Sequence, residues 1–318
     1  MHIMITSECN QGCPYCFAAD AMGALSAKSE MEFDDYRRCI DLVARSERKV
    51  ASLFGGEPTL HPEFERMVDH ALGRGLKVQL FTNFIFEDDV PSLHDERVTI
   101  TANINSPDWY PERTRAIVEN NVARFRRNAV LGFNVYSFEP RYEGVIDWID
   151  GHDLANRSLR LGIASPTPTR ENAFIPVAEY DRVGGILVEM ARYGHARKVK
   201  LLYDCGFVRC MFTEEQIATL SSMGSAPLYQ CGTPVDVAPD LSAFNCFPLS
   251  AYKAVRMTDY GSVRELTEAL ATMYQPYLAM GVKRACPSCE HHLRGECFGG
   301  CLGHVLAALD GGPMSRRA

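Results

Sequence analysis

The first strand of the chain runs into the segment Cys9-Asn10-Gln11-Gly12-Cys13-Pro14-Tyr15-Cys16-Phe17. Its three cysteines have a C-x3-C-x2-C spacing and lie on one short loop. Three thiolates on one loop can hold three corners of an iron–sulfur cubane and leave the fourth iron free, whereas a cluster that only transfers electrons normally has four protein thiolates. A zinc site is the alternative, but zinc usually takes four ligands in two pairs, and the sequence offers no fourth ligand nearby.

The composition is that of a globular enzyme. The 318 residues suffice for one large domain and a smaller one, and 46% of them are hydrophobic and 23% charged. The net charge is −7 and no Lys/Arg block interleaves with aromatic residues, so we expect no nucleic-acid partner. No apolar run approaches the roughly 18 residues of a membrane span, and the first residues do not form a signal peptide. We therefore expect a cytoplasmic protein without a membrane partner.

Twelve cysteines are unusually many for such a chain. In a reducing cytosol they indicate metal or cluster ligation rather than disulfides. Three lie in the first 16 residues and eight lie after residue 204. Only Cys39 stands apart, next to the apolar face of a predicted helix, and we expect it to be an inert core residue.

Six apolar segments predict β-strands at 2–6, 50–55, 77–82, 98–104, 130–136 and 158–164. Amphipathic patterns predict helices between them, for example over 33–43 and 64–72. Strands that alternate with helices are typical of a parallel α/β architecture, in which functional side chains lie at the carboxyl ends of the strands. Periodicity leaves open whether the sheet closes into a barrel.

Polar motifs follow several of these strands. Phe54-Gly55-Gly56-Glu57-Pro58 ends the second strand, where glycines allow close approach of the backbone to a ligand and a carboxylate can accept hydrogen bonds from an ammonium group. By itself this motif would be an ordinary turn. The next three strands end in further polar residues, namely Thr82, Asn83, Asn103, Asn105 and Asn134. The alternative for these is an amide satisfied within its own loop.

Together, the cysteine loop with its aromatic residue before the last Cys and the Gly-Gly-Glu-Pro motif resemble the signature of the radical S-adenosylmethionine (SAM) superfamily. The resemblance covers residues 1 to roughly 195 and implies a partial (β/α)6 TIM-type barrel. It implies a [4Fe–4S] cluster on Cys9, Cys13 and Cys16, with an open site that binds the amine and carboxylate of SAM. Reductive cleavage of SAM would then release a 5′-deoxyadenosyl radical.

The resemblance also implies where SAM is held. The motif Gly55, Gly56, Glu57 and Pro58 would meet the methionyl amine. The residues Thr82, Asn83, Asn103, Asn105 and Asn134 would reach the ribose, the carboxylate or the substrate. Backbone near Gly162–Ala164 and beside Tyr15 would hold the adenine. No residue is assigned as a catalytic acid or base, because Asp204, Asp236 and Asp240 are expected to form turns.

The cysteines after residue 204 are Cys205, Cys210, Cys231, Cys246, Cys286, Cys289, Cys297 and Cys301. Their spacing, with the closing Cys297-Phe298-Gly299-Gly300-Cys301, resembles the SPASM extension of peptide-modifying radical SAM enzymes or its shorter "twitch" version. We therefore expect a radical SAM core at 1–198 and a small SPASM/twitch-like domain at 199–318. The resemblance implies an auxiliary [4Fe–4S] cluster on Cys231, Cys246, Cys301 and either Cys205 or Cys210.

This region departs from the full SPASM pattern. Residues 302–318 contain no further cysteine, so Cys286, Cys289 and Cys297 lack their usual fourth ligand. The count permits a second auxiliary cluster if both Cys205 and Cys210 serve as ligands, and His304 is another candidate. Cysteine pairs at 286/289 and 297/301 also fit a structural zinc site.

The SPASM resemblance favours a ribosomally made peptide as the substrate, oxidised or crosslinked with an auxiliary cluster as electron acceptor or substrate anchor. A flavodoxin or ferredoxin would be the reductant. Because the barrel begins at residue 2, we expect any leader-binding domain to be a separate protein. The alternative is a dehydrogenase or epimerase of a small natural-product intermediate such as an amino sugar. A non-catalytic iron–sulfur redox protein is a remote third reading, which the Gly-Gly-Glu-Pro motif disfavours.

Overall fold

The computed structural model describes residues 1–19, 22, 28–167, 169, 171–232 and 234–309. Its strands are β1 (His2–Thr6), β2 (Val50–Gly55), β3 (Lys77–Thr82), β4 (Val98–Asn103), β5 (Ala129–Val135), β6 (Ser158–Ile163), β7 (Lys200–Tyr203), β8 (Val235–Val237), β9 (Ser242–Asn245) and β10 (Val255–Arg256). Its helices are α1 (Phe33–Ala44), α2 (Phe64–Gly73), α3 (Glu112–Arg124), α4 (Glu143–Gly151), α5 (Val183–His195), α6 (Glu214–Ser222), α7 (Val263–Leu278), α8 (Glu290–Leu293) and α9 (Leu302–Leu309). No helix within these ranges is long and apolar enough to cross a membrane.

The strands of the described residues form a single sheet in the order β10-β9-β8-β1-β2-β3-β4-β5-β6-β7. β1 to β7 run parallel to one another, β8 joins β1 in parallel, and β9 and β10 are antiparallel. The predicted α/β architecture is confirmed, and each of the six predicted strands is present to within one residue at either end. The structure adds β7, which at four residues is too short to be recognised from periodicity.

The hydrophobic core lies between the sheet and the helices. Alternate strand residues point into it, and among them Ile3, Leu53, Leu80, Ile100, Leu131 and Leu161 are fully buried. Helices α1 and α2 cover part of this face, and the Tyr36 hydroxyl of α1 donates to the Met67 carbonyl of α2 at 2.8 Å. Cys39 of α1 is fully buried in the same core, as expected for an inert residue.

The opposite face of the sheet is concave, and we call it the inner face. The Phe81 ring on β3 lies 5.4 Å from the His2 ring on β1 and 5.5 Å from the Arg160 guanidinium on β6. Because neighbouring strands are about 4.8 Å apart, β3 and β6 would be about 14 Å apart on a flat sheet. Their contact therefore indicates a sheet that curves around the inner face, with the carboxyl ends of β1 to β7 along one rim.

Candidate active site

The cysteine loop leaves β1 at this rim and rests on the glycines at the end of β2. The Gly56 N–H donates to the Thr6 carbonyl at 3.0 Å, and the Glu57 N–H donates to the Glu8 carbonyl at 2.7 Å. A Cβ atom at Gly55 would lie 2.1 Å from the Thr6 carbonyl oxygen, and one at Gly56 would lie 2.1 Å from that of Glu8. The close approach that the sequence assigned to a ligand is thus made by the protein's own backbone at the start of the loop.

Glu57 joins the ends of β2 and β3. Its side chain is fully buried, and it is the N-cap of a one-turn helix that begins at Pro58. The carboxylate accepts hydrogen bonds from the Thr59 N–H (3.2 Å) and hydroxyl (2.7 Å), the Thr82 hydroxyl (2.8 Å) and the Asn83 N–H (2.7 Å). Burial raises the pKa of Glu57 and these hydrogen bonds oppose the shift. A carboxylate can accept about four hydrogen bonds, so these four donors of the protein itself use the whole accepting capacity of Glu57.

Asn83 extends this platform to the cysteine loop. Its Nδ2 donates to Asn10 Oδ1 at 2.7 Å, and its Oδ1 accepts from the Ile85 N–H at 2.8 Å. Asn10 in turn donates from Nδ2 to the Ile85 carbonyl at 2.8 Å. The three residues form a closed set of hydrogen bonds that fixes the loop between its first two cysteines.

The loop gathers its three thiols in one place. Cys16 N–H donates to the Cys13 carbonyl at 3.1 Å, which forms a turn, and Cys9 is exposed while the other two are half-buried. Burial raises the pKa of Cys9 to about 11, and the charges of Glu57, Cys13 and Cys16 contribute. The pKa of Cys13 is raised by burial and also by Cys16. Three thiolates this close together repel one another unless a cationic centre compensates their charge. Cys9, Cys13 and Cys16 therefore fit an iron–sulfur cluster held at three corners.

Hydrogen-bond donors surround Cys13. The Tyr15 hydroxyl donates to Asn105 Oδ1 at 2.7 Å, and Asn105 Nδ2 lies 3.7 Å from Cys13 Sγ as a donor. The Cys13 thiol donates to Gln11 Oε1 at 3.1 Å. Gln11 Nε2 is buried and makes no well-formed hydrogen bond within the described residues, although the Tyr110 hydroxyl is close by. This amide, which sequence reasoning missed, is a donor still available to a ligand of the loop.

Asn103 and Asn134 are half-buried on the inner face. Strand register places Asn103 beside Gly132 and Asn134 beside Gly162. A Cβ atom at Gly132 would lie 2.4 Å from Asn103 Oδ1, and one at Gly162 would lie 2.9 Å from Asn134 Oδ1. Each amide therefore lies over a glycine of the next strand, and these two predicted site residues face open space more than Asn105 does.

The segment after β6 closes over the cysteine loop. Asn172 Nδ2 donates to the Tyr15 carbonyl at 3.3 Å and to the Ser165 carbonyl at 2.9 Å. The Ala173 N–H donates to the Pro14 carbonyl at 2.7 Å. The backbone beside Tyr15, which the sequence assigned to the adenine, is thus partly occupied by this segment.

The later cysteines form two sets of four, of which the first is Cys205, Cys231, Cys246 and Cys301. Burial is the largest cause of the raised pKa of Cys246, followed by Cys301, Asp236, Cys231 and Cys205. The pKa of Cys301 is raised to about 11 by burial and by Cys231. Cys205 is exposed, and Cys246 and Cys301 are half-buried, so these thiols remain accessible to a ligand.

The second set is Cys210, Cys286, Cys289 and Cys297. The pKa of Cys286 is raised first by burial and then by Cys210, Cys297 and Cys289. The four cysteines line one cavity, whose wall also includes His291. Cys205 thus neighbours the first set and Cys210 the second.

Unusual backbone conformations position the first set. Cys246 follows β9 with a φ of +44°, a region that few non-glycine residues adopt. Gly299 and Gly300 precede Cys301 with φ values of +79° and +93°. A Cβ atom at Gly300 would lie 2.8 Å from the Val282 side chain. The closing Gly-Gly thus gives the chain a turn that brings Cys301 to its partners.

His304 follows Cys301 closely, and its backbone N–H donates to the Cys301 carbonyl at 3.1 Å. It is buried, and its Nε2 lies 3.1 Å from the Tyr180 hydroxyl. Among the described residues, no group of three or more His, Cys, Asp or Glu side chains is close enough to hold a single metal ion. A cubane does not require such closeness, because each thiolate binds a different iron.

The three aspartates that were expected to form turns lie in different kinds of structure. Asp240 forms the turn between β8 and β9 as expected. The expectation is wrong for Asp236, which lies in β8 and pairs with His2 at 3.0 Å. Asp204 follows β7 and pairs with Arg160 at 2.5 Å. Sequence reasoning missed Arg160, although a charged residue at the centre of an apolar strand was a signal.

Comparison with known proteins agrees with this geometry. Residues 3–146 match the family model of the Radical SAM superfamily. Over 84 residues the chain is 32% identical to an S-adenosylmethionine-dependent nucleotide dehydratase of Selenomonas ruminantium, which covers 26% of this chain and 29% of that protein. Over 93 residues it is 32% identical to a GTP 3′,8-cyclase of Mannheimia succiniciproducens, with 28% of each chain covered. The matches thus span less than a third of these curated relatives.

Solved structures share the fold over nearly the whole chain. The crystal structure of SuiB from Streptococcus suis bound to S-adenosylmethionine has a TM-score of 0.67 at 12% identity and covers 94% of this chain and 72% of SuiB. SuiB bound to the precursor peptide SuiA has a TM-score of 0.66 at 13% identity, with 94% and 71% covered. The likeness includes the cysteine-rich C-terminal region as well as the parallel strands.

Proposed function

We propose, because residues 3–146 match the family model of the Radical SAM superfamily, that the chain cleaves SAM reductively and oxidises or crosslinks a ribosomally made peptide. The observation that carries the proposal is the loop of three thiols seated on the Gly55–Glu57 turn at the rim of the sheet. With SAM bound and one electron supplied, a [4Fe–4S] cluster provides a 5′-deoxyadenosyl radical that removes a hydrogen atom from a substrate carbon. The protein's own residues bind SAM and the substrate, orient the reacting carbon and exclude water from the site.

Cys9, Cys13 and Cys16 are the proposed ligands of this cluster. Asn105 supplies an N–H donor beside Cys13, which would stabilise negative charge on sulfur. Glu57, Thr82 and Asn83 are joined by hydrogen bonds, and Asn83 holds the cysteine loop through Asn10. Since the Glu57 carboxylate is occupied, we assign the methionyl amine of SAM to the carbonyl groups of the Gly55–Pro58 turn. Asn103 and Asn134 remain the proposed side-chain contacts to SAM or substrate.

The two sets of four cysteines support two auxiliary [4Fe–4S] clusters in the proposed SPASM-like region at 199–318. A substrate that has lost a hydrogen atom must lose one further electron and one proton to be oxidised. The electron therefore needs an acceptor close to the barrel. Cys205 and Cys246 follow β7 and β9 of the same sheet, so the first set is the nearer of the two by connectivity. A flavodoxin or ferredoxin is the proposed external reductant.

The peptide substrate is supported by the fold shared with SuiB, a protein crystallised with its precursor peptide. A separate leader-binding protein would be the corresponding partner. A small-molecule substrate is the second candidate, and the names of the two curated relatives favour it. The two are separated by incubating the reconstituted enzyme with any short peptide encoded beside its gene and, separately, with GTP. Loss of two hydrogens from a peptide supports the first, and a modified nucleotide supports the second.

Cluster content and SAM cleavage test the central claim. Anaerobically reconstituted protein should contain about twelve irons, as three [4Fe–4S] clusters require, and should form 5′-deoxyadenosine on reduction. About eight irons would mean a single auxiliary cluster. About four irons together with bound zinc would mean that the C-terminal cysteines hold zinc and no auxiliary cluster. Absence of 5′-deoxyadenosine, or cleavage that survives replacement of Cys9, Cys13 and Cys16 by alanine, would contradict the proposal.

A further inference from the structure

The inner face carries a charged pair beside the predicted SAM contacts. Strand register aligns Asn103 of β4, Gly132 of β5, Arg160 of β6 and Leu202 of β7 in one row across the sheet. Because side chains alternate along a strand, members of a row point to the same face. Arg160 is therefore a wall residue of the same concavity as Asn103.

The next row toward the rim contains the partner of Arg160. It aligns Asn134 with Gly162, and the Asp204 N–H continues the pairing by donating to the Leu161 carbonyl at 2.8 Å. Asp204 Oδ2 lies 2.5 Å from an Arg160 guanidinium nitrogen. The places over the two glycines are taken by the Asn103 and Asn134 amides, so uncharged polar side chains lie next to the charged pair.

The pair is open to solvent on the concave side. The side chains of Arg160 and Asp204 are 28% and 41% exposed, and Leu202 is 45% exposed. Among the described residues, the guanidinium contacts Asp204 and the ring of Phe81, although it has five N–H donors to offer. A part-exposed pair of this kind adds little to stability. Its donors are available to a bound molecule.

The other sector of the inner face is filled. Met4, Phe54, Phe244 and Phe247 pack together there, and the rings of Phe54 and Phe247 are 5.2 Å apart. A substrate that enters the concavity must therefore lie along β4 to β7. That wall presents the Arg160 guanidinium and the Asp204 carboxylate beside the amides of Asn103 and Asn134 and the exposed Leu202 side chain.

We propose that Arg160, oriented by Asp204, binds a carboxylate of the substrate, so that the enzyme selects peptides with an acidic residue near the reacting carbon. Guanidinium groups bind carboxylates through paired N–H donors, and Asp204 fixes the plane of the fork from one side. Leu202 and Phe81 would contact the carbon chain that bears the acid. The inference rests on the proposed peptide substrate and names its chemistry.

A pooled library of short peptides tests the inference, with Asp, Glu, Asn or Gln at one central position. Holoenzyme with SAM is incubated with the pool, and bound peptides are quantified by mass spectrometry. For the wild type we expect acidic members to exceed their amides by about tenfold, the effect of one charged hydrogen bond. R160Q should lose this preference. R113Q is the matched control, because Arg113 pairs with Glu87 on the outer surface. This variant should keep the preference for acidic peptides.

SAM also has a carboxylate, and a second measurement separates the two sources. The KM for SAM in 5′-deoxyadenosine formation without peptide should change less than twofold in R160Q, whose iron content should equal that of the wild type. A rise in that KM, with the peptide preference unchanged, would assign Arg160 to SAM and overturn the inference. So would equal binding of acids and amides by the wild type. Failure of the wild type to cleave SAM or modify any peptide would instead contradict the proposed function.

Discussion

The two cysteine-rich regions are built in opposite ways. In the loop after β1, eight consecutive residues supply three thiols, and the local backbone alone brings them together. In the C-terminal region, eight thiols come from positions 205 to 301. Cys205 and Cys246 follow strands near opposite ends of the sheet, so their set meets only through the tertiary fold. Three thiolates leave an iron open for chemistry, whereas four close the cluster. Under the proposed function, the difference separates one reactive centre from two electron-holding or anchoring centres.

The largest expected effect is at the loop. Cys13→Ala should reduce SAM cleavage to background and remove about four irons, since two thiolates do not hold a cubane stably. The measurement is 5′-deoxyadenosine formation together with iron content. Cys39→Ala is the matched control: it should keep all the iron and full cleavage, at a stability cost of about 1 kcal/mol for the small cavity. Equal behaviour of the two variants would remove the distinction between ligand and core cysteine.

The division of the C-terminal thiols into two sets is the next prediction. Cys205→Ala and Cys246→Ala should each remove about four irons, and the double variant should remove no more than either single one. Cys205→Ala combined with Cys289→Ala should remove about eight irons, because the two residues belong to different sets. Iron and sulfide analysis with EPR of the reduced protein measures this. An iron loss of about eight in the double variant within one set would break the division.

Sequence alone predicts the first region better than the second. The C-x3-C-x2-C loop and Glu57 are close in sequence to the strands that position them, so spacing and period suffice. The assignment of Cys205 and Cys210 depends on where β7 ends relative to α9, which is a tertiary fact without a local signal. The same holds for the hydrogen-bond partners of Glu57 and Asn105, because the sequence positions of these two residues suggest ligand contacts instead. Their hydrogen bonds to Thr82, Asn83 and Cys13 appear only when the strands are side by side.

The contact between Gly56 and the cysteine loop is expected to have a smaller but measurable effect on SAM cleavage. Gly56→Ala places a Cβ atom 2.1 Å from the Glu8 carbonyl oxygen, so the loop must move away from the end of β2. We expect cleavage to fall by about tenfold or more, because displacement near 1 Å at a reactive site commonly costs that much. The free energy of unfolding should fall as well.

Gly73→Ala is the control for this substitution. Gly73 lies in α2 with nothing within 4 Å of the added Cβ, so alanine should raise the free energy of unfolding by about 0.5–1 kcal/mol and leave cleavage unchanged. Thermal unfolding and 5′-deoxyadenosine formation are measured on both variants. If Gly56→Ala were as active and as stable as Gly73→Ala, the glycines would not be the seat of the loop.

The smallest expected effect distinguishes a donor beside the reactive centre from the thiols themselves. Asn105→Leu removes the N–H donor 3.7 Å from Cys13 Sγ while all three ligands remain. An N–H donor stabilises the more negative, reduced cluster, so its loss should lower the reduction potential by an amount on the order of tens of millivolts. An EPR-monitored redox titration measures the shift.

Tyr15→Phe sharpens this test, because it removes the hydroxyl that donates to Asn105 Oδ1 and leaves the Nδ2 donor in place. Its shift should have the same sign and be smaller, since the amide is then less firmly oriented. The C-terminal clusters, whose thiols are remote from Asn105 along the chain, should keep their potentials in both variants. A shift of the auxiliary signals, or an upward shift of the loop's signal, would contradict the assignment of Asn105 to Cys13. The first region would then differ from the second in its number of thiols alone, without a tuned hydrogen bond.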